Sequence, residues 1–508
     1  MSISFTPSQA SLTPTTEQTA QAESADTGLI DDQPVTIDDQ PVILSEPIVR
    51  NPLLKSFLDL IKPIDFGYIA KAKGGQVSPK TYQVIALSHL ITTAKVNNWG
   101  LAINNGCVHS YNGGYWELLD VGEFKAFLSV ATVRLGVPEL LARHHKFRDE
   151  LYKQFVSDGN LPIPHGSDAT LINLVNGTFE ITETEQILRP PCASDFLKYQ
   201  LSFEYQESAE APQFQRFLDR VLPEQELQMI VAEYIGYVFV VGLKLEKVLL
   251  LYGTGANGKS VFFDIINALL GHENVSGYSL SSLTRTNSYE KAELQNKLLN
   301  YASELNGNLG ADTFKQLASG EPLGARQIYG YPFVMRRYAK LMFNCNELPS
   351  EVENTHAFFR RFIIVPFQQT IPENEQDPQL AQKIISSELP GVFNWVLAGL
   401  KRLLLNRKFT ESEIVRQQIE EYKLVSDSVA MFLDDSVYVP STSKYMPVGE
   451  FYSEYKGFCQ VSGYKVLGKY NFTKRCRALG MEIGKKREYV IYVEKSLIPY
   501  PVPEEIPA

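Results

Sequence analysis

The alternation of apolar and polar residues along the chain changes period several times and predicts a mixed α/β protein. Apolar residues at three- and four-residue spacing predict a helix in TYQVIALSHLITTAKV (81–96) and further helices across 201–245. Other apolar runs are short and continuous, which is typical of central strands in a sheet covered on both faces. These runs are KVLLLYG (247–253), KLLNYAS (297–303), YAKLMFNCN (338–346) and RRFIIVPF (360–367).

Shorter strand-like pieces lie nearer the amino terminus. CVHSYNGGYWELL (107–119) and LINLVNGTFEI (171–181) contain Gly-Gly or Asn-Gly steps, which are typical of tight turns between strands. Helices dominate again from 376 to 426, and 427–500 has the pattern of three helices followed by paired strands.

These changes of pattern divide the chain into five predicted segments. They are a disordered acidic tail (1–48), an N-terminal α+β region (49–200), a helical domain (201–245), an α/β domain with its own helices (246–408) and a small C-terminal domain (427–500). The tail is predicted to be disordered because it is rich in Ser, Thr, Gln, Pro and Asp, and Arg50 is the first basic residue of the chain.

Composition narrows the class of protein. With 44% hydrophobic and 21% charged residues the chain is typical of soluble globular proteins, and it has neither a membrane-length apolar run nor a signal-peptide pattern. The five cysteines form no Cys-x-x-Cys pair, which argues against a zinc or disulfide framework and favours the reducing cytoplasm. The net charge of −10 would disfavour nucleic acid, but the acidic tail contributes to it and binding depends on local charge.

One glycine-rich stretch predicts a phosphate site between the strand at 247–253 and a following helix. Glycines allow the backbone amides to point at phosphate oxygens, and the helix adds the positive end of its dipole. Lys259 is expected to reach the β- and γ-phosphates of ATP, and Ser260 to hold Mg²⁺. The predicted loop is Gly253, Thr254, Gly255, Ala256, Asn257, Gly258, Lys259 and Ser260.

Four further residues are candidates for a role in ATP hydrolysis. Glu304 follows an apolar strand and could activate water, bind Mg²⁺ or do both; the alternative is a surface glutamate. Ser303 occupies the place where a second acid is usual. Asn346 could sense the γ-phosphate from a strand tip, or simply open a turn. Arg360 and Arg361 could serve a neighbouring subunit's nucleotide, or form a solvated pair.

The order of these elements resembles the superfamily 3 helicases, and within them the phage/plasmid primase-helicase family, which is related to the poxvirus primase-helicase. FKQLASGEPLGARQIYGYPFVMRRYAKLMFNCNELP (314–349) is similar to that family's segment between the acid and the Asn. ELPGVFNWVLAGLKRLL (388–404) is similar to its helical lid. The likeness covers roughly 170 to 500.

The resemblance implies an AAA+-like P-loop ATPase core over 246–408, preceded by a helical domain and typically assembled as a hexamer. ATP would lie between subunits, one subunit would supply an arginine finger, and a hairpin would grip single-stranded DNA in the central pore. Family members usually move 3′ to 5′. Lys315, Arg326, Arg336 and Arg337 are therefore candidates for DNA contacts.

The C-terminal segment resembles the family's winged-helix domain, which would bind duplex DNA. NFTKRCRALGMEIGKKREYVIY (471–492) places basic residues on a recognition helix and in a wing. Their alternative is a solvated basic face without a ligand. The candidates are Lys474, Arg475, Arg477, Lys485, Lys486 and Arg487.

The favoured function is an ATP-driven replicative DNA helicase of a phage, plasmid or mobile element, with DNA, further copies of the chain and replication proteins as partners. No primase is predicted, because residues 49–200 carry no convincing carboxylate cluster. Three alternatives stay open: an ATP-switched origin-binding or loader protein without unwinding activity, a nucleotide-gated defence or scaffold protein, and a small-molecule kinase.

Overall fold

A computed structural model of the 508-residue chain shows a mixed α/β protein built around a parallel sheet. The structure describes residues 36–37, 40–41, 48–72, 75–97, 99–104, 107–158, 169–303, 310–328, 332–349, 353 and 355–496. The prediction of a disordered tail at 1–48 therefore falls almost entirely outside the described residues.

The α-helices range from single turns to five turns. They are α1 (Pro52–Leu58), α2 (Phe66–Ala72), α3 (Pro79–Val96), α4 (Val121–Arg134), α5 (Glu139–Arg143), α6 (His145–Asp158), α7 (Pro212–Val221), α8 (Gln225–Tyr237), α9 (Lys259–Leu270), α10 (Leu280–Thr284), α11 (Ala311–Ser319), α12 (His356–Phe359), α13 (Leu380–Ser387), α14 (Leu389–Asn406), α15 (Glu413–Val425), α16 (Ser428–Asp435), α17 (Val448–Ser462) and α18 (Lys469–Ala478).

The strands are short. They are β1 (Thr36–Ile37), β2 (Gln40–Pro41), β3 (Leu101–Asn104), β4 (Cys107–Tyr111), β5 (Trp116–Leu118), β6 (Thr170–Leu174), β7 (Gly177–Ile181), β8 (Gln186–Arg189), β9 (Val248–Tyr252), β10 (Val275–Ser276), β11 (Leu299–Ala302), β12 (Leu323–Arg326), β13 (Pro332–Met335), β14 (Lys340–Cys345), β15 (Phe362–Pro366), β16 (Tyr438–Pro440), β17 (Met446–Pro447), β18 (Glu482–Lys485) and β19 (Tyr489–Lys495).

The four continuous apolar runs form four strands of one parallel sheet, of which three are central and β15 is the edge strand. The strand order is β10-β11-β14-β9-β15, and β9 pairs with β14 on one side and β15 on the other. All four residues of β11 and all five of β15 are buried, which explains why these strands lack polar alternation. The antiparallel pieces are confirmed as well: β3-β4-β5 and β6-β7-β8 form two small meanders.

The chain divides into two compact units. The first takes the described residues up to Leu90 together with Gly122–Gln154, and is helical. The second takes Ile91–Val121 and the described residues from Phe155 onwards, and contains the parallel sheet.

The helices of 201–245 share one hydrophobic core with the parallel sheet. Phe217 and Tyr234 belong to the same buried cluster as Leu251 of β9 and Val396 of α14. The boundary predicted at residue 246 therefore does not interrupt the hydrophobic core. Residues of α7 and α8 share that core with β9 and α14, which come later in the chain. The assignment of these helices as a separate domain stays a prediction.

Two glycines allow α8 and α14 to approach closely. A methyl group at Gly399 would lie 2.5 Å from the Ala232 carbonyl carbon, and one at Gly236 would lie 2.7 Å from Leu400 Cβ. Both distances are far below van der Waals contact, so the helix pair requires these glycines.

Two buried carboxylates stabilise α7 and α8 through hydrogen bonds. Glu388 accepts hydrogen bonds from the backbone amides of Gln213 (3.0 Å) and Phe214 (3.0 Å), which caps the first turn of α7. Glu233 of α8 is fully buried and accepts from Arg402 Nε (2.5 Å) and Thr410 N (2.7 Å).

The C-terminal part has the three helices and the final strand pair that the sequence predicted, but two short strands, β16 and β17, lie between α16 and α17. Helices α16, α17 and α18 enclose an aromatic core in which Phe472 stacks on Tyr455 at 4.5 Å, and β19 pairs with β16, β17 and β18. Asp427 caps α16, because one carboxylate oxygen accepts from Val429 N (3.1 Å) and Ala430 N (3.2 Å).

The second oxygen of Asp427 corrects one expectation. It binds Arg475 Nε at 2.6 Å and Nη2 at 2.5 Å, and the Asp427 side chain is 4% exposed. Arg475 was expected on a free basic face, but its guanidinium neutralises a buried carboxylate inside the domain.

We expect Gly399→Ala to destabilise the α8–α14 pair by about 1–3 kcal/mol, because the added methyl overpacks the interface. The matched control is Gly457→Ala in α17, where the methyl meets nothing within 4 Å. This control should be neutral or stabilise by roughly 0.5–1 kcal/mol, since alanine favours helix. Hydrogen exchange of α14 and α17 amides measures both effects, and equal outcomes would contradict the packing argument.

We expect Arg475→Ala to lower the local free energy of unfolding around α16 by about 3 kcal/mol, because it leaves Asp427 buried without its partner. Arg477→Ala, two residues along the same helix and exposed, should change this free energy by less than about 0.5 kcal/mol. Hydrogen exchange of the amides at 428–435 measures this free energy. Similar decreases in both variants would show that the buried Arg475–Asp427 pair does not stabilise α16.

Candidate functional site

The glycine-rich loop turns sharply between β9 and α9. Gly255 (φ 120°), Ala256 (φ 48°) and Gly258 (φ 84°) all have positive φ, and Gly258 directly precedes the first residue of α9. Backbone of this kind curls amide groups toward a common centre at the amino end of a helix, where the helix dipole favours an anion.

Contacts with the neighbouring strands hold the loop in place. Asn257 donates from Nδ2 to the Phe367 carbonyl at 2.9 Å, and Phe367 N in turn donates to the Tyr252 carbonyl at 2.6 Å. Gly253 N donates to the Cys345 carbonyl at 3.1 Å. A methyl group at Gly253 would lie 2.4 Å from Phe367 O, so the first loop position accepts only glycine without displacement.

The last glycine of the loop lies against α7. A methyl group at Gly258 would lie 2.7 Å from Val221 Cγ1 and 2.9 Å from Phe217 Cε2. The helix that precedes the sheet thus forms one wall of the loop.

Lys259 is the buried cation of the site. Its side chain donates to the Gly253 carbonyl at 2.5 Å and to Asn257 Oδ1 at 3.0 Å, and the residue is 6% exposed. Burial lowers the pKa of the Lys259 amine. Ser260, one position along α9, is exposed.

The carboxyl edge of the sheet brings the loop and Asn346 together. Cys345 pairs with Tyr252, so exposed Asn346 and Gly253 leave adjacent strands at the same level. Burial raises the pKa of the Cys345 thiol to about 12, which disfavours the thiolate. On the far side of β14, Ala302 pairs with Phe343 and is followed by exposed Ser303. Glu304 lies outside the described residues.

Arg360 and Arg361 lie at the opposite edge of the sheet. Phe362 of β15 pairs with Val248 of β9, so the two arginines precede the strand level at which β9 begins. The five residues of β9 separate that level from the loop by roughly 16 Å at 3.3 Å per residue.

The two arginines differ in their surroundings. Arg361 is 8% exposed, donates to the Ala357 carbonyl and to Ser319 Oγ (3.1 Å), and lies 3.4 Å from Glu246 Oε2. Arg360 has a side chain 46% exposed and binds only the same Glu246 oxygen, at 2.7 Å, among the contacts found in the described residues. An exposed pair of this kind contributes about 0.2–1 kcal/mol, so Arg360 can leave it at little cost.

A hairpin lies between β11 and β14, as the resemblance implied. Strands β12 and β13 are antiparallel with Arg326 opposite Pro332, and residues 329–331 of the turn are outside the described residues. Arg326, Arg336 and Arg337 are exposed. Lys315 differs from expectation, because it precedes the hairpin in α11 and forms an ion pair with Glu353 at 2.6 Å.

The remaining basic candidates of the C-terminal domain are exposed. Lys474 and Arg477 lie on α18, and Lys485, Lys486 and Arg487 lie at the β18–β19 turn. Lys486 Nζ stands 3.4 Å above the ring of Tyr445, which holds this turn against the domain.

Sequence reasoning missed several residues that organise these groups. Glu246 could have been found, since it precedes β9 just as the arginines precede β15, and neighbouring parallel strands share an edge. Glu353, Ser319 and the Phe367 carbonyl carried no recognisable signal, because their roles depend on tertiary contacts.

The described residues contain neither a metal-ligand cluster nor a membrane-length apolar helix. No group of three or more His, Cys, Asp or Glu side chains is placed to hold a metal ion there. None of the helices in that part of the chain is both long and apolar enough to cross a membrane.

Three family models match successive parts of the chain. The model described as "D5 N terminal like" matches residues 90–223, a "Family of unknown function (DUF5906)" matches 251–361, and "Poxvirus D5 protein-like" matches 425–490. The middle match includes the glycine-rich loop, the hairpin and both arginines.

Curated relatives are found among large DNA viruses. "Putative helicase L207/L206" of Acanthamoeba polyphaga mimivirus is 23% identical over 337 residues, which cover 60% of this chain and 34% of that protein. "Putative helicase 121R" of Invertebrate iridescent virus 3 is 22% identical over 355 residues, which cover 60% of this chain and 37% of that protein. The chain therefore spans about a third of the length of these relatives.

Among solved structures, two apo forms of the NrS-1 C terminal region align with a TM-score of 0.43. They are 11% and 12% identical and cover 80% and 79% of this chain, and 98% and 97% of their own. The two D5-type models match on either side of the glycine-rich loop, and helicase-named viral proteins match the same chain, so the protein is similar to D5-like proteins.

Proposed function

We propose that this chain is an ATP-dependent DNA helicase that acts as a ring of identical subunits in the replication of a phage, plasmid or mobile element. The observation that carries the proposal is that the candidate residues lie at two opposite edges of the same sheet. The phosphate loop and Asn346 occupy the carboxyl edge, whereas the arginine pair occupies the amino edge of the adjoining strands.

ATP binds at the carboxyl edge in this proposal. The loop 253–260 surrounds the phosphates, and Lys259 exchanges the Gly253 carbonyl and Asn257 for the β- and γ-phosphate oxygens. Asn346 and Glu304 orient the attacking water. Mg²⁺ would be held by Ser260 and Glu304 with phosphate oxygens, and would neutralise charge on the phosphates. The exposed Ser260 hydroxyl on the first turn of α9 fits that role.

Arg360 is the arginine finger in this proposal and acts on a neighbouring subunit. It cannot reach the loop of its own chain, because β9 separates the two by roughly 16 Å. Its guanidinium is half exposed and held by one carboxylate, whereas Arg361 is enclosed by three partners. This assigns the finger to Arg360 and a structural role to Arg361.

DNA contacts are proposed at two surfaces. The β12–β13 hairpin, with Arg326, Arg336 and Arg337, faces single-stranded DNA in the ring, and the C-terminal domain binds duplex as a winged helix. In the latter, α18 presents Lys474 and Arg477 while Lys485, Lys486 and Arg487 form the wing. The parallel order β10-β11-β14-β9-β15 supports an AAA+-like core in the same proposal.

We expect Lys259→Ala to abolish strand displacement on forked DNA and to reduce ATP hydrolysis by at least about 100-fold, because no other described cation stands in the loop. The assay compares wild type and variant with ATP and Mg²⁺ on a 3′-tailed fork. Hydrolysis by the wild type without any strand displacement would favour an origin-binding or loader protein instead.

We expect mixtures of Lys259→Ala and Arg360→Ala subunits to regain hydrolysis, because one interface in a mixed ring combines an intact loop with an intact finger. Each variant alone should be nearly inactive. Mixtures of Lys259→Ala with wild-type subunits provide the reference for simple dilution. Rates measured at fixed total protein across mixing ratios should exceed the sum of the two single variants. No gain at any ratio would contradict a finger that acts in trans.

A further inference from the structure

We propose that helix α11 is the mechanical link between the arginine turn (355–361) and the hairpin β12–β13, and that Lys315, Glu353, Ser319 and Arg361 are its positioning residues. The inference rests on the proposed function, since it concerns how the nucleotide of one subunit moves the DNA-contacting hairpin of the next. Two separate tethers, one from the middle of α11 and one from its last residue, carry it.

The first tether joins the middle of α11 to the beginning of the arginine turn. Lys315 Nζ binds Glu353 Oε2 at 2.6 Å, and the other carboxylate oxygen of Glu353 accepts from Thr355 Oγ1 at 3.0 Å. Thr355 is the N-cap of α12, because its hydroxyl accepts from Phe358 N at 3.3 Å. Lys315 is thereby connected to the single helical turn that leads into Arg360.

The second tether joins the end of α11 to the end of the same turn. Ser319, the last residue of α11, is 4% exposed and accepts from Arg361 Nη2 at 3.1 Å. Arg361 also donates to the Ala357 carbonyl, which fixes its guanidinium to the turn itself. The two tethers lie about one turn apart on the same face of α11 and hold that face against the arginine turn.

Glu246 connects Arg361 of the second tether to Arg360, the proposed arginine finger. A single oxygen, Oε2, lies 2.7 Å from Arg360 Nη2 and 3.4 Å from Arg361 Nη2. Lys247 Nζ donates to the Arg360 carbonyl at 2.5 Å. When Arg360 leaves Glu246 for a phosphate, the charge balance around Arg361 changes, and Arg361 holds Ser319.

The hairpin begins where α11 ends. Gly320 caps the helix with a φ of 65°, and β12 starts three residues later at Leu323. Tyr338, just after β13, donates from its hydroxyl to the carbonyls of Gln316 (3.1 Å) and Glu321 (2.9 Å). Both feet of the hairpin are therefore fixed to the carboxyl half of α11, so that a shift of the helix carries the hairpin with it.

Charge and burial distinguish this function of Lys315 from a DNA contact. The Lys315 side chain is 24% exposed and that of Glu353 34%, so water screens the pair only partly. The hydrogen bond from Lys315 lowers the pKa of Glu353. A phosphate would have to displace this carboxylate, whereas Arg336 and Arg337 stand exposed at the hairpin.

The test is a charge exchange between Lys315 and Glu353. The quantity measured is the ratio of DNA-stimulated to basal ATP hydrolysis, with forked DNA as the probe and full-length protein. We expect Lys315→Glu and Glu353→Lys each to lower this ratio about fivefold or more, and the double variant Lys315→Glu/Glu353→Lys to restore most of it. Glu353→Gln, which keeps the side-chain volume, serves if a reversed charge prevents folding, and it should lower the ratio in the same direction.

The matched control is the exposed pair Lys383–Asp377 at 2.6 Å, where Lys383→Glu should leave the ratio unchanged. If Lys315 touches DNA directly, the double variant stays as defective as Lys315→Glu, and the link through α11 is wrong. If DNA stimulates ATP hydrolysis by the wild type but no Lys315 or Glu353 variant changes the ratio, the link through α11 is wrong and the proposed function stands. If DNA does not stimulate ATP hydrolysis by the wild type, both the proposed function and the link through α11 are wrong.

Discussion

The hydrogen-bonded register of β9 between β14 and β15 is the constraint on which the site depends. Pairing of Cys345 with Tyr252 fixes Asn346 beside the phosphate loop, and pairing of Phe362 with Val248 fixes the arginines at the other end. A slip of one residue in either pairing would reverse the faces of a fully buried strand. The burial of β9, β14 and β15 on both faces thus specifies the positions of polar groups that lie outside the core.

Much of this arrangement could be read from the sequence because it depends on local patterns. Continuous apolar runs located the central strands, and the glycines located the loop, since positive φ at positions 255 and 258 suits glycine. Ala256 also adopts positive φ, which no local rule predicts. The roles of individual charged residues could not be read in the same way. Lys315, Arg361 and Arg475 look like free cations in sequence, and each is bound to a carboxylate from a distant segment.

These internal ion pairs change the electrostatic interpretation of the chain. A net charge of −10 says little about a surface when basic residues are divided between internal pairs and exposed positions. The exposed ones, such as Arg336, Arg337 and Arg477, remain close to the hairpin and to α18. Local concentrations of positive charge are what polyanions respond to within a Debye length of about 8 Å.

The contact between Gly258 and α7 sets a lower limit on the part of the chain that is needed to shape the glycine-rich loop. Because Val221 and Phe217 stand where a side chain at position 258 would be, the loop is shaped from behind by residues that come before the sheet in the chain. A fragment that started at β9 would lack Val221 and Phe217 and would therefore lose this backing. Any shortened form of the protein that preserves the surroundings of the loop must therefore include α7 together with the sheet.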